Sequence, residues 1–162
     1  MLNKKVEKEL NSQINKELYS SYLYLSMAAY AEVQGFDGIA HWFELQAGEE
    51  KDHAMKIYSY VHERNGRVIL EAIEKPQTEY KSIKELFELA LGHEEYVTDS
   101  INKLVDLAIK EKDHATFSFL QWFVDEQVEE EASVNAILDK FKIMGDKGMG
   151  MLMLNKELGS RE

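Results

Sequence analysis

Taken in alternating steps of four and three residues, four stretches of this chain trace apolar stripes, and each stripe is broken near its middle by polar residues. The first runs Val6, Leu10, Gln13, Glu17, Ser20, Tyr24, Met27, Ala31, and the second Ile39, Phe43, Gln46, Glu50, His53, Ile57, Tyr60, Arg64. The third is Ile83, Phe87, Ala90, Glu94, Val97, Ile101, Leu104, Ala108, and the fourth Thr116, Leu120, Phe123, Gln127, Glu130, Val134, Ile137, Phe141. Residues at this spacing share one helix face, the face that enters a core. Four long helices are therefore predicted, each carrying an acid where a core expects carbon.

End signals place the helices at about 3–34, 38–65, 82–111 and 114–144, with a short fifth helix at about 148–158. Gly35 and Asp37 read as a helix end followed by an N-cap, Asn65-Gly66 as a C-terminal stop, and Ser82 with Glu85 as a capping box. Asp113 reads as the cap of the fourth helix and Gly145 as its end. The links within the first pair and within the second pair are short, which makes antiparallel neighbours. Between the pairs lie about sixteen residues, able to extend roughly 50 Å, whereas each stripe is roughly 38 Å long. Helices two and three can then run parallel, and Val68, Leu70, Ile73 and Pro76 read as a strap pressed on a surface, a subunit contact being one such surface. The fold class is all-α: a four-helix bundle with one long crossover and a short C-terminal helix, in a single domain over 1–162.

The two pairs look like copies. Adding 77 to a position takes Glu17 to Glu94, Tyr19 to Tyr96, Glu49 to Glu126, Glu50 to Gln127, Asp52 to Glu129 and His53 to Glu130. Because every interruption sits near its helix midpoint, Glu17, Glu50, His53, Glu94, Gln127 and Glu130 meet at one level whichever way each helix runs. Tyr24 lies two turns from Glu17 on the same face. Buried carboxylates cost several kcal/mol each unless protonated, paired or bound to a cation, and no Lys or Arg stands at the central stripe positions.

Composition narrows what the acids can hold. The net charge of -11 repels nucleic acid and anionic membranes and favours cations as partners. With no cysteine in 162 residues, disulfides, iron-sulfur clusters and thiolate zinc sites are excluded. No stretch is long and apolar enough for a bilayer span, and the start lacks a signal-peptide core, so a soluble, cytoplasmic protein is expected. Four carboxylates, one imidazole and one amide form a hard, oxygen-rich ligand set suited to two divalent ions, and iron or manganese fit it better than a closed zinc site. Glu50-x-x-His53 is the half-motif of carboxylate-bridged di-iron bundles, in which neighbouring helices supply single glutamates.

At these residues, and in the stretches ELYSSYLYLSMA, HWFELQAGEEKDHA and FLQWFVDEQVEEE, the chain resembles the prokaryotic non-haem ferritins. The resemblance runs from about Glu7 to about Phe141. It implies one iron held by Glu17, Glu50 and His53, with Glu50 bridging, and a second held by Glu94 and Glu130. Gln127 is implied as a hydrogen-bonding amide beside the pair, and Tyr24 as a hydrogen-bond partner able to supply an electron. Glu49, Glu126 and Glu129, beside Glu130, match a third iron site. A hollow homo-oligomeric shell of twenty-four subunits storing ferric mineral is implied as well. Asp52 stands where bacterioferritin-like relatives carry a haem-ligating methionine, which implies a centre without haem. Rubrerythrin-like relatives need cysteines absent here, and the short DNA-protecting relatives place their metals between subunits.

The function expected is Fe(II) oxidation by dioxygen or hydrogen peroxide, a ferroxidase reaction feeding a mineral store. Oxidation takes the metal charge to about +6 against ligands of -4, which loosens the ferric product. A di-iron peroxidase or oxidase without storage is the alternative enzyme, and a helical interaction module with structural acids the non-enzymatic one. Glu131 reads as part of a solvated charge run, and His41, His62, His93, His114, Trp42 and Trp122 as surface or packing residues. Burial alone predicts that Glu94→Leu is neutral or stabilising for the metal-free bundle.

Overall fold

Lys4–Val33 forms α1, Asp37–Glu63 α2, Ile83–Lys110 α3, His114–Met144 α4 and Met149–Leu158 α5. A computed structural model describes residues 2–162. Asn3 caps α1, Ser82 caps α3 with its hydroxyl accepting from the Glu85 amide, and Asp113 caps α4 by accepting from the Thr116 amide. Each satisfies a first-turn N–H that the helix cannot. Gly145, at φ 74, ends α4 in a region where a side chain is strained. One end signal resolves differently. Asp37 is the first helical residue of α2, not its cap; Phe36 holds the cap position, and the Asp37 carboxylate takes the Asn155 amide of α5 instead.

Contacts between helices give their directions. Along α1, Gln13 and Lys16 meet Ser100 of α3, while Ser20 meets His93 and Tyr24 meets Glu94, so α1 and α3 are antiparallel. Along α2, Gln46 meets Glu130 and Tyr60 meets Thr116, so α2 and α4 are antiparallel. The link of a few residues makes α1 antiparallel to α2, and the Leu2 amide reaches the Arg64 carbonyl. Helices α2 and α3 are therefore parallel, and the segment between them must cross the bundle's length. It does so along α1, whose side chains supply the partners its extended backbone lacks. Asn11 bonds to Arg67 O and Ile69 N, Asn15 to Ala72 O, Ser26 to Gln77 O and Tyr30 to Tyr80 O. Of the apolar strap residues, Pro76 is buried and Val68 packs on the core, but Leu70 and Ile73 face outward, because the α1 amides fix which side of the strap turns in.

Two apolar clusters fill the bundle. One gathers Met27, Phe43, Phe87, Val134 and Phe141, the other Val6, Leu10, Ile57, Ile101 and Leu120. Between them lies a buried polar belt of Gln13, Glu17, Ser20, Gln46, Glu50, His53, Glu94, Gln127 and Glu130. At the far end of the second cluster, Arg64 donates to Asp113 at 3.1 Å and to the Tyr60 hydroxyl at 2.5 Å. Hydrogen bonds from the Thr116 backbone and from Arg64 hold the Asp113 carboxyl below its ordinary value, against the opposing effect of its burial. A depressed carboxyl contributes stability above its unfolded value, near 4, and loses it as pH falls through the folded one. Asp113→Asn keeps the cap but removes the charge. It is expected to cost under about 1 kcal/mol at neutral pH, with the deficit shrinking toward pH 3 in denaturant titrations against wild type.

Candidate metal centre

The belt's acids come from all four long helices. Glu17 of α1, Glu50 of α2 and Glu94 of α3 are each only 1% exposed, and Glu130 of α4 is 6% exposed. Glu17, Glu50 and His53 offer ligand atoms all within 4.8 Å of one another. His53 Nδ1 lies 3.6 Å from Glu50 Oε2, as the i, i+3 spacing on one helix face requires. A second group, His53, Glu126 and Glu130, meets the same criterion and shares the imidazole with the first.

Amides and a phenol orient the carboxylates. Gln13 Nε2 donates to Glu17 Oε1 at 2.7 Å, and Gln13 is itself fixed by Ser100, whose hydroxyl donates to its Oε1 at 2.7 Å. Lys16 Nζ in turn reaches Ser100 Oγ at 2.5 Å. Gln46 Nε2 donates to Glu130 Oε2 at 2.8 Å, and Gln127 Nε2 to Glu94 Oε2 at 3.1 Å. The Tyr24 hydroxyl donates to Glu94 Oε1. Among the described residues two buried side-chain oxygens have no partner: Glu17 Oε2 and Glu50 Oε1. An orphaned buried oxygen costs free energy, and these two carboxyls can relieve it only by sharing a proton with each other or by taking an ion. Here both orphans belong to acids of the same three-residue group.

Electrostatics point the same way. Burial, reinforced by the Glu50 charge, pushes the Glu17 carboxyl well up, and burial, reinforced by the Glu94 charge, does the same to Glu50. Burial also raises Glu94, although its bonds from Tyr24 and Gln127 oppose the shift. Glu130 is pushed up to about 7 by burial and then by Glu94. Burial and the Glu94 charge raise the Tyr24 phenol, which keeps its proton and remains a donor. Without a cation burial thus favours the protonated form of each carboxyl, and a divalent ion competes with those protons as it binds. Burial alone lowers His93 to about 4, so this ring is neutral at pH 7 and shares a hydrogen with Ser20 at 2.7 Å.

The remaining predicted residues fall around this centre. Glu126 joins the second group, but Glu49 is engaged by Arg161 from the C-terminal tail, at 2.9 and 2.7 Å to its two oxygens. Glu129 is exposed and in neither group. Glu94 accepts from both Tyr24 and Gln127, so Glu94→Leu strands the Tyr24 hydroxyl, a cost of about 1–3 kcal/mol that burial alone does not foresee. Trp122 sets its ring edge-on to His53, with Lys56 Nζ 4.0 Å above it.

The model of the Ferritin-like domain family matches residues 7–144. The chain belongs to the ferritin family. Among its relatives, the probable bacterial non-heme ferritin-like protein of Haemophilus influenzae is 44% identical, covering 99% of this chain and 97% of that one. The bacterial non-heme ferritin of Campylobacter jejuni is 42% identical over 96% of this chain and 93% of its own. A crystal structure of an open-pore ferritin from Archaeoglobus fulgidus superposes with a TM-score of 0.98 at 47% identity, covering 99% of this chain and 98% of that chain.

In this ferritin-family chain four contributors escape a reading of the stripes: Gln13, Gln46, Ser100 and Arg161. Gln13 stands on its stripe one turn before Glu17, and that i, i+4 spacing was the available signal; Gln46 stands likewise before Glu50 but bonds Glu130 of α4, which spacing along α2 does not record. Ser100 lies off its stripe, and Arg161 lies beyond every stripe.

Proposed function

We propose that this chain is an iron-storage protein with ferroxidase activity, binding Fe(II) as substrate at a paired site within one bundle and passing ferric product to a mineral store. The observation that carries this reading is the pair of orphaned oxygens, Glu17 Oε2 and Glu50 Oε1, placed with His53 in a belt whose other acids already have donors. Glu17, Glu50 and His53 hold one iron, Glu50 bridges, and Glu94 and Glu130 hold the other. Gln13, Gln46 and Gln127 fix the carboxylate planes, so little reorganisation is needed when the ions arrive. Tyr24 keeps its proton on the Glu94 side and is the residue placed to supply an electron. Two Fe(II) ions give two electrons to the oxidant, dioxygen or hydrogen peroxide. Apolar clusters above and below exclude water from the site.

Family membership supports a homo-oligomeric shell, for which we propose twenty-four subunits, and the centre needs no haem. Among the described residues no helix is long and apolar enough to cross a membrane, and a cytoplasmic location is part of the proposal. Anaerobic Fe(II) titration of the metal-free protein is expected to reach two tightly bound ions per chain. Size-exclusion after aerobic loading is then expected to show iron far above two per chain in a large particle. A stop at two per chain would favour a di-iron oxidase or peroxidase without storage, and no retained iron would sink the metal-centre reading.

A further inference from the structure

The C-terminal tail reaches the centre. Helix α5 docks on the start of α2, and the Arg161 beyond it lies over Trp42, its guanidinium carbon 5.4 Å from the ring. The Arg161 carbonyl bonds to His41 Nε2 at 2.9 Å. One guanidinium nitrogen donates to both oxygens of Glu49, and the other donates to Gln46 Oε1 at 2.5 Å. That second bond turns the Gln46 amide so that its Nε2 faces Glu130. Arg161 thus touches the acid next to Glu50 in sequence and, through one amide, a member of the group His53, Glu126 and Glu130.

We propose that Arg161 is a built-in counter-cation for Glu49, and that the third divalent ion expected beside the pair, at Glu49, Glu126 and Glu130, binds only by displacing the C-terminal tail. The inference rests on the paired-iron reading, since it concerns the ion that lies beside that pair. Glu49 adds its charge to those acting on both Glu50 and Glu130, so it belongs electrostatically to the centre whichever cation it faces. The Arg161–Glu49 pair is part-exposed, with side chains 30% and 45% accessible. Water screens such a pair and it holds weakly, so it can yield to a compact ion of charge +2. A guanidinium never loses its charge, so Glu49 is neutralised whenever the tail is docked and released only when the tail moves. Tail and third ion therefore exclude one another. Ion arrival on this side of the centre frees Gln46 as well, which loosens the donor to Glu130.

The test uses full-length, metal-free wild type, Arg161→Gln and Arg161→Lys, titrated with Zn(II), which neither gains nor loses electrons. Calorimetry is expected to find two tight ions per chain in all three proteins. The third ion is expected to bind roughly fivefold more tightly to Arg161→Gln than to wild type, the scale of one screened ion pair. Arg161→Lys, a single-pronged cation, falls between. Adding Glu49→Gln to Arg161→Gln removes the gain. In wild type, occupation of the third site speeds hydrogen exchange at the Gly159, Ser160 and Arg161 amides, which close the tail on α5. Third-ion affinity equal in the three proteins, or exchange unmoved by the third ion, overturns the proposal and leaves the paired site standing. Fewer than two tight ions in wild type overturns the paired-site reading and this proposal with it.

Discussion

Glu50→Ala is expected to abolish the fast phase of Fe(II) oxidation while leaving the helical fold in place. Glu50 is the acid common to both halves of the belt: Glu17, Glu94 and Glu130 all act on its carboxyl, and one of its oxygens has no partner in the chain. Removing a group that merely orients a ligand costs about ten- to a hundredfold in metal affinity or rate, so loss of the bridging ligand itself is expected to exceed roughly a hundredfold. The fold should survive because the variant deletes a buried carboxyl with an unsatisfied oxygen, and the two apolar clusters pack on either side of it. Stopped-flow oxidation at two Fe(II) per chain, with circular dichroism as the control for folding, measures both. Undiminished fast oxidation in a folded Glu50→Ala protein would remove Glu50 from the site.

Gly38→Ala is expected to give the largest loss of stability from adding a single carbon. A Cβ at Gly38 would sit 1.9 Å from the Asn155 carbonyl oxygen and 2.8 Å from its carbon. Both are backbone atoms of α5, so no rotamer change relieves the clash and the helix must move. Overpacking of this kind costs about 1–3 kcal/mol, and here the upper end applies because Ile39 N and Asp37 also lose their bonds to Asn155. At about 2–4 °C per kcal/mol for a chain of this size, calorimetry should show a fall of roughly 6–12 °C. The same shift carries Arg161 off Glu49, so Gly38→Ala should also tighten the third Zn(II) as Arg161→Gln does. A melting temperature within about 1 °C of wild type would show that α5 docks less closely than the structure has it.

The helices were legible because their signals are local. Stripes at i, i+3 and i+4, with Ser82 and Asp113 as caps, act over a few residues, and the structure follows them to within a turn. The belt was legible for a related reason: Glu17, Glu50, Glu94 and Glu130 occupy stripe positions near each midpoint, and midpoints align in any bundle. Asp37 misled because its partner, Asn155, lies 118 positions away. Leu70 and Ile73 are exposed on the single chain, on the side of the strap where the expected subunit contact would cover them. For Glu94, burial argued that leucine would be tolerated, whereas Tyr24 from α1 and Gln127 from α4 make it an acceptor twice over.

By itself the sequence determined four long amphipathic helices, a polar level at their midpoints, and a donor set of carboxylates, imidazole and amide suited to hard divalent cations. All of these follow from residue type and local spacing. Only the tertiary structure decided which carboxylate oxygens are already bonded and which are left over, and that a tail arginine neutralises Glu49. Those outcomes depend on donors brought together from Gln13, Ser100, Gln46 and Arg161. A carboxylate's free lone pair is set by what surrounds it in space, and spacing along one helix does not record that.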